Sequence, residues 1–63
     1  MNEMDSKHRL AEIVRDACLK AARGAYENAG ISGLCEEGRW ECALDAIRSL
    51  DIEVVIASLG NHK

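Results

Sequence analysis

The chain has 63 residues with a formal net charge of −3, and 48% of its residues are hydrophobic while 30% are charged. Its length allows one domain at most, and its composition is that of a folded chain rather than a disordered one. The acidic balance disfavours nucleic-acid binding, which rests on a basic patch, and no stretch has the roughly 18 apolar residues of a membrane span.

The first predicted element is a helix from about Asp5 to Ala29, because apolar residues recur there every three or four positions. Asp5 or Ser6 is the predicted N-cap, and Gly30 is the predicted stop, in the left-handed conformation. Alanine recurs every four residues in this helix, and one explanation is that alanine is the best helix former. We favour the other explanation, a ridge of small side chains that lets another helix approach closely. This ridge consists of Ala17, Ala21, Ala25 and Ala29.

A glycine-containing turn at residues 31–33 leads to a second predicted helix from about Leu34 to Leu50, with Ser32 as its N-cap. Helical spacing divides this segment into two faces. The predicted bulky face consists of Trp40, Ala43, Leu44, Ile47 and Leu50. The predicted small face, which we expect to meet the alanine ridge, consists of Cys35, Gly38, Cys42, Ala46 and Ser49.

Asp51 is the predicted N-cap of a short third helix, in which Ile52, Val55, Ile56 and Leu59 share a face. The β-branched run also permits a strand, but a lone strand has no partner, so we favour the helix. Residues 1–5 and 60–63 are predicted to be loose ends of the single domain 1–63. The predicted fold is all-α: an antiparallel helical hairpin with a short third C-terminal helix that folds over one end.

The apolar residues of the second and third helices exceed what one thin hairpin hides easily. Either the third helix covers them or a second copy of the chain does, which makes a homodimeric bundle possible. Arg39, Trp40, Ile47 and Leu50 are the candidate protein-interaction residues, since Trp and Arg carry much of the binding energy at interfaces. The alternative places Trp40 in the core.

Three cysteines, Cys18, Cys35 and Cys42, do not make a closed disulfide framework. Their spacing is not that of a zinc site, so we predict no metal and no cofactor. Cys35 is a possible reactive thiol near a helix start, although acidic neighbours oppose this. No catalytic residue is assigned, and we predict that the chain is not an enzyme.

The segment from Gly33 to Glu41 reads G-L-C-x-E-G-x-W-E, and the surrounding half of the chain resembles a family of small proteobacterial proteins of unknown function. Members of that family are sometimes labelled acetyltransferase. That label implies an acyl-CoA-binding sheet, which this length does not supply, so no activity is carried over. The resemblance implies a bacterial, cytoplasmic protein. The predicted function is interaction or regulation through a helix face; the alternative is a thiol-based sensor or accessory subunit of an enzyme that uses Cys35.

Overall fold

The structure is a computed structural model that describes residues 3–61, and three α-helices account for most of this range. They are α1 (Glu3–Ile31), α2 (Glu36–Arg48) and α3 (Ile52–Asn61). No strand occurs within the described range, so the all-α prediction and the helical choice for the third segment are confirmed. Residues 3–5 and 60–61, predicted to be loose, belong to helices, and the other predicted loose residues lie outside the described range.

The predicted start of α1 is wrong, because the helix already includes Glu3 and Met4. Asp5 and Ser6 therefore lie inside the first turns and do not occupy the N-cap position. Glutamate and methionine are good helix formers, which explains why the helix extends upstream of the residues best suited to cap it.

The turn between α1 and α2 lies at residues 32–33, within the predicted turn, but Gly33 rather than Gly30 takes the left-handed conformation predicted for the end of α1. Gly33 has φ +90°, a conformation that favours glycine, whereas Gly30 remains helical. The Leu34 N–H donates to the Ala29 carbonyl at 3.0 Å, and the Gly33 N–H donates to the Gly30 carbonyl at 3.0 Å. This pair of bonds is a Schellman motif, which satisfies carbonyl groups at the end of α1 and turns the chain back.

Ser32 is not the N-cap of α2, because its N–H donates to the Asn28 carbonyl at 3.0 Å as part of the α1 terminus. Cys35 occupies the N-cap position in an extended conformation, without a side-chain capping bond. Glu36 and Glu37 follow in the first turn, where acidic groups complement the positive end of the helix dipole. The second helix therefore starts two residues later than predicted, and it ends at Arg48 rather than at Leu50.

Asp51 is the N-cap of α3, as predicted. Its Oδ1 accepts hydrogen bonds from the N–H groups of Glu53 at 3.1 Å and Val54 at 3.3 Å. These bonds satisfy two donors that have no partner within the helix. The cap thus sets the point at which the chain leaves α2 and resumes helical structure.

We expect Asp51→Ala to destabilise α3 by about 1 kcal/mol, because both capping bonds are lost. Amide hydrogen exchange followed by NMR should show faster exchange in α3 and little change in the middle of α1. The matched control is Asp45→Ala, which removes a carboxylate that forms only an exposed 2.6 Å ion pair with Arg48. Equal effects of the two substitutions on α3 would contradict the capping role.

The three helices form a hairpin that is two helices thick. α1 packs against α2 and against α3, while α2 and α3 do not pack on each other among residues 3–61. The chain measures 47 × 19 × 15 Å, and the 29 residues of α1 alone span about 43 Å. α3 therefore packs along α1 beyond the end of α2, instead of folding over the end of the hairpin. α1 is the first arm of the hairpin, and α2 and α3 together form the second arm.

The core of this hairpin is very small. Among the residues whose exposure is described, only Ala29, Ala43 and Val55 are buried, at 6%, 5% and 7% exposure. Most of the predicted small face of α2 turns inward, since Gly38, Cys42 and Ala46 are half-buried.

Two details of the predicted faces are wrong. Ala43, assigned to the bulky face, is buried, whereas Cys35 and Ser49, assigned to the small face, are exposed. On the predicted α1 ridge, Ala29 is buried and Ala17, Ala21 and Ala25 are half-buried. The residues at this contact are small, and large apolar residues such as Trp40 and Ile47 stay exposed.

Candidate interaction surface

Side chains near the turn brace α1 against α2. The Tyr26 hydroxyl on α1 donates to Glu36 Oε2 on α2 at 2.7 Å. Arg39 on α2 donates from Nε to the Leu34 carbonyl at 3.2 Å, and its Cζ lies 5.7 Å from the centre of the Tyr26 ring. That distance is within the range of a cation–π interaction. The brace shows that Tyr26 and Glu36 lie on the same side of the hairpin.

Gly30 makes room for the Arg39 side chain. A Cβ at Gly30 would lie 3.1 Å from Arg39 Cζ, closer than an ordinary van der Waals contact. A glycine inside a helix is costly, and here it allows the guanidinium group to cross the turn. The predicted interaction residue Arg39 is therefore half-buried and bonded within the chain.

The hydrogen bond to Glu36 is the main cause that raises the pKa of Tyr26 above its ordinary value of 10.0, followed by burial and the nearby negative charge. The folded state therefore holds the phenol proton more tightly than the unfolded state does. This contribution to stability is complete below pH 10.0 and is lost as the pH rises through the raised pKa.

We expect Glu36→Gln to return the pKa of Tyr26 toward 10.0, because the largest and third causes of the shift both come from the Glu36 carboxylate. Tyr26→Phe should remove this loss of stability at alkaline pH. Tyr26 is the only tyrosine, so tyrosinate absorbance during a pH titration reports on it alone. Glu37→Gln, one position away, is the control. An unchanged midpoint in Glu36→Gln would refute the hydrogen bond.

Trp40 and Ile47 form an exposed apolar stripe on α2, with half-buried Leu44 between them. Trp40 is 60% exposed, so within the single chain it is not a core residue. It stands four residues after Glu36, and positions four apart share a helix face. The stripe therefore lies on the side of the hairpin marked by the Tyr26–Glu36 bond.

The same pattern recurs on α3. The three residues of the α2 stripe lie at fixed distances along the sequence from buried Ala43. Trp40 is three residues before it, Leu44 is one residue after it and Ile47 is four residues after it. Relative to buried Val55, those positions on α3 are Ile52, Ile56 and Leu59. Ile52 and Ile56 are 51% and 48% exposed, and Leu59 is half-buried. Because both helices follow the same arm against α1, equal offsets place the two stripes on one side.

On α1 the same side includes Ala22 and Leu19, which stand four and seven residues before Tyr26. Leu19 is 54% exposed. We call the combined surface the apolar flank. Its members are Leu19, Ala22, Trp40, Leu44, Ile47, Ile52, Ile56 and Leu59.

The apolar flank contains two of the four predicted interaction residues. Leu50 is half-buried in the link between α2 and α3, where its N–H donates to the Ile47 carbonyl at 3.2 Å. Leu19 was missed, although its spacing from Tyr26 was visible in the sequence. Leu19 lies off the alanine ridge, and only the brace shows which side of α1 continues the Trp40 stripe.

The three cysteines are free. Cys35 is exposed at the start of α2, while Cys18 and Cys42 are half-buried. Among the described residues, no group of three or more His, Cys, Asp and Glu side chains is placed to hold a metal ion.

An open pocket of about 370 Å³ lies beside the turn, and none of its lining residues is charged. Its lining consists of Ala25, Asn28, Ala29, Ser32, Leu34 and Cys42. None of the described helices is both long enough and apolar enough to cross a membrane.

Comparison of the chain with protein-family models, curated proteins and solved structures finds no match. The resemblance of the Gly33–Glu41 segment to a small proteobacterial family therefore stays a prediction. The candidate site rests on geometry alone, and that geometry places eight apolar residues on one side of the hairpin, next to an internally bonded arginine.

Proposed function

We propose that this chain is a small cytoplasmic interaction protein that binds another polypeptide through the apolar flank and does not act as an enzyme. The observation that carries this proposal is the 60% exposure of Trp40 within a side of the hairpin that also exposes Leu19 and Ile56. Scattered apolar residues are normal on a surface, but a contiguous exposed patch marks a binding site.

The composition of the apolar flank suits a protein partner. Interface cores are poor in charge and rich in aromatic residues, and tryptophan is among the residues whose truncation costs most. Trp40 lies in the first half of α2, at the end of the flank nearest the turn, with aliphatic residues along the same face. Tyr26 and Arg39 border it near the turn and supply polar groups at its edge.

The test is affinity capture with the full chain as bait, followed by mass spectrometry and sedimentation. Trp40→Ala should weaken association by at least about 30-fold, since truncation of a hot-spot tryptophan at an interface costs about 2 kcal/mol or more. A second test is Ile56→Ser, which changes a flank residue on α3. Its matched control is Val54→Ser, because Val54 is also on α3 and is 62% exposed but lies off the flank.

We expect Ile56→Ser to weaken association and Val54→Ser to leave it unchanged. Circular dichroism verifies that each variant keeps its helices. If capture and self-association are both unaffected by Trp40→Ala and Ile56→Ser, the proposed function is refuted.

The alternative function, a thiol-based sensor or accessory subunit, is favoured by one observation: Cys35 is exposed while the other two thiols are half-buried. Thiol labelling across a range of pH, with Cys35→Ser as the reference, tests it. A Cys35 thiol that reacts at neutral pH no faster than a free cysteine would rule out the sensor.

A further inference from the structure

We infer that the apolar flank is covered by a second copy of this chain, in a two-fold symmetric dimer. The inference rests on the proposed function, because it names the polypeptide that occupies the same surface. In such a dimer the patch meets itself, so each copy both contributes and receives the same residues.

The first support is the surface area of the chain. Its accessible surface is 5116 Å², whereas a folded monomer of 6.9 kDa is expected to expose only about 4,000 Å². The excess is about 1,100 Å², and a stable interface covers about 800 Å² on each partner. An interface of that standard size, formed by the flank and its copy, removes most of the excess.

The second support is the shape. The radius of gyration is 14.4 Å, while a compact domain of this length has about 11 Å. A layer only two helices thick leaves both sides of each helix open to water. A second layer laid against the apolar flank converts the hairpin into a bundle with a core between the layers.

The third support is the need for permanent cover. With Ala29, Ala43 and Val55 as the buried residues, the described part of the chain has little core of its own. A chain with so small a core needs a partner that is always present to stabilise the fold. A second copy meets this condition, because it is synthesised wherever the first copy is. Obligate homodimers couple folding to association in this way.

The fourth support is the absence of charge among the members of the apolar flank. A charged patch would repel its own copy across a two-fold axis, whereas an uncharged one does not. Arg15, one turn before Leu19 on α1, is exposed, and its long stem can pack while the guanidinium stays in water.

Sedimentation equilibrium of the full chain tests the inference. We expect twice the 6.9 kDa mass of one chain at micromolar concentration. Ile56→Asp should raise the dissociation constant by about 100-fold or more, because it brings two like charges into the interface. Val54→Asp is the matched control and should remain dimeric, because Val54 lies off the flank.

A second measurement needs no substitution. Trp40 is the only tryptophan, so quenching of the intrinsic fluorescence by acrylamide reports its exposure directly. We expect protection at concentrations where the chain is dimeric and easy quenching after dilution, since Trp40 is 60% exposed in the single chain. A monomer at all concentrations, or a dimer that Ile56→Asp and Trp40→Ala leave intact, overturns the inference.

The result also separates this inference from the proposed function. A monomeric chain that captures another protein in a Trp40-dependent manner refutes the second copy and leaves the proposed function standing. A monomeric chain with no Trp40-dependent capture refutes both.

Discussion

Ala43→Leu is expected to lower the free energy of unfolding by about 1–3 kcal/mol, which is typical of adding methylene groups to a closely packed site. Ala43 is 5% exposed, on the inner side of α2 between half-buried Cys42 and Ala46. A leucine there forces the helices apart, and it does so in a chain whose core has few other residues to hold it together.

The matched control is Ala57→Leu on α3, because Ala57 is exposed and leucine is nearly as good a helix former as alanine. That substitution should change stability by less than about 0.5 kcal/mol. Urea unfolding at equilibrium, followed by circular dichroism, gives both values. If Ala43→Leu stabilises the chain or is as neutral as Ala57→Leu, the helices do not approach through small side chains.

Gly33→Ala is expected to destabilise the hairpin by about 1–2 kcal/mol, because an L-residue resists positive φ. Gly33 has φ +90°, and its N–H bond to the Gly30 carbonyl closes the end of α1. The space around it is open, since no atom lies within 4 Å of the position a Cβ would take. The cost is therefore conformational and does not come from a clash.

Gly24→Ala is the control with the opposite expected sign. Gly24 also has no atom within 4 Å of an added Cβ, but it lies inside α1, where alanine is favoured over glycine by about 0.5–1 kcal/mol. Thermal unfolding should show Gly24→Ala above the wild-type midpoint and Gly33→Ala below it. A Gly33→Ala chain as stable as wild type would mean that the left-handed turn does not form.

Hydrophobic spacing was sufficient to predict the three helices and their packing as a hairpin. The first two helices carry long repeats of three and four residues, whereas the third segment also permits a strand and was assigned as a helix because a lone strand has no partner. Which of two glycines ends α1 was not predictable from the sequence. Gly30 and Gly33 both suit a helix end, and packing selects Gly33, because the Arg39 side chain occupies the space over Gly30.

The candidate site was predictable only in part, because packing decides which residues are exposed. Trp40 and Ile47 stand out by type and spacing along α2 alone. Leu19 does not, because its exposure depends on which side of α1 the second arm covers. Leu50 has the spacing of the bulky face, yet it lies after the end of α2, where the link to α3 half-buries it.

The hairpin itself is tested most directly by small-angle X-ray scattering of the Ile56→Asp variant at concentrations where it is monomeric. A chain folded back at Gly33 should give a radius of gyration close to 14.4 Å. One unbroken helix over residues 3–61 would give about 26 Å, and a compact globule about 11 Å. Either of those values would contradict the helical hairpin and, with it, the apolar flank.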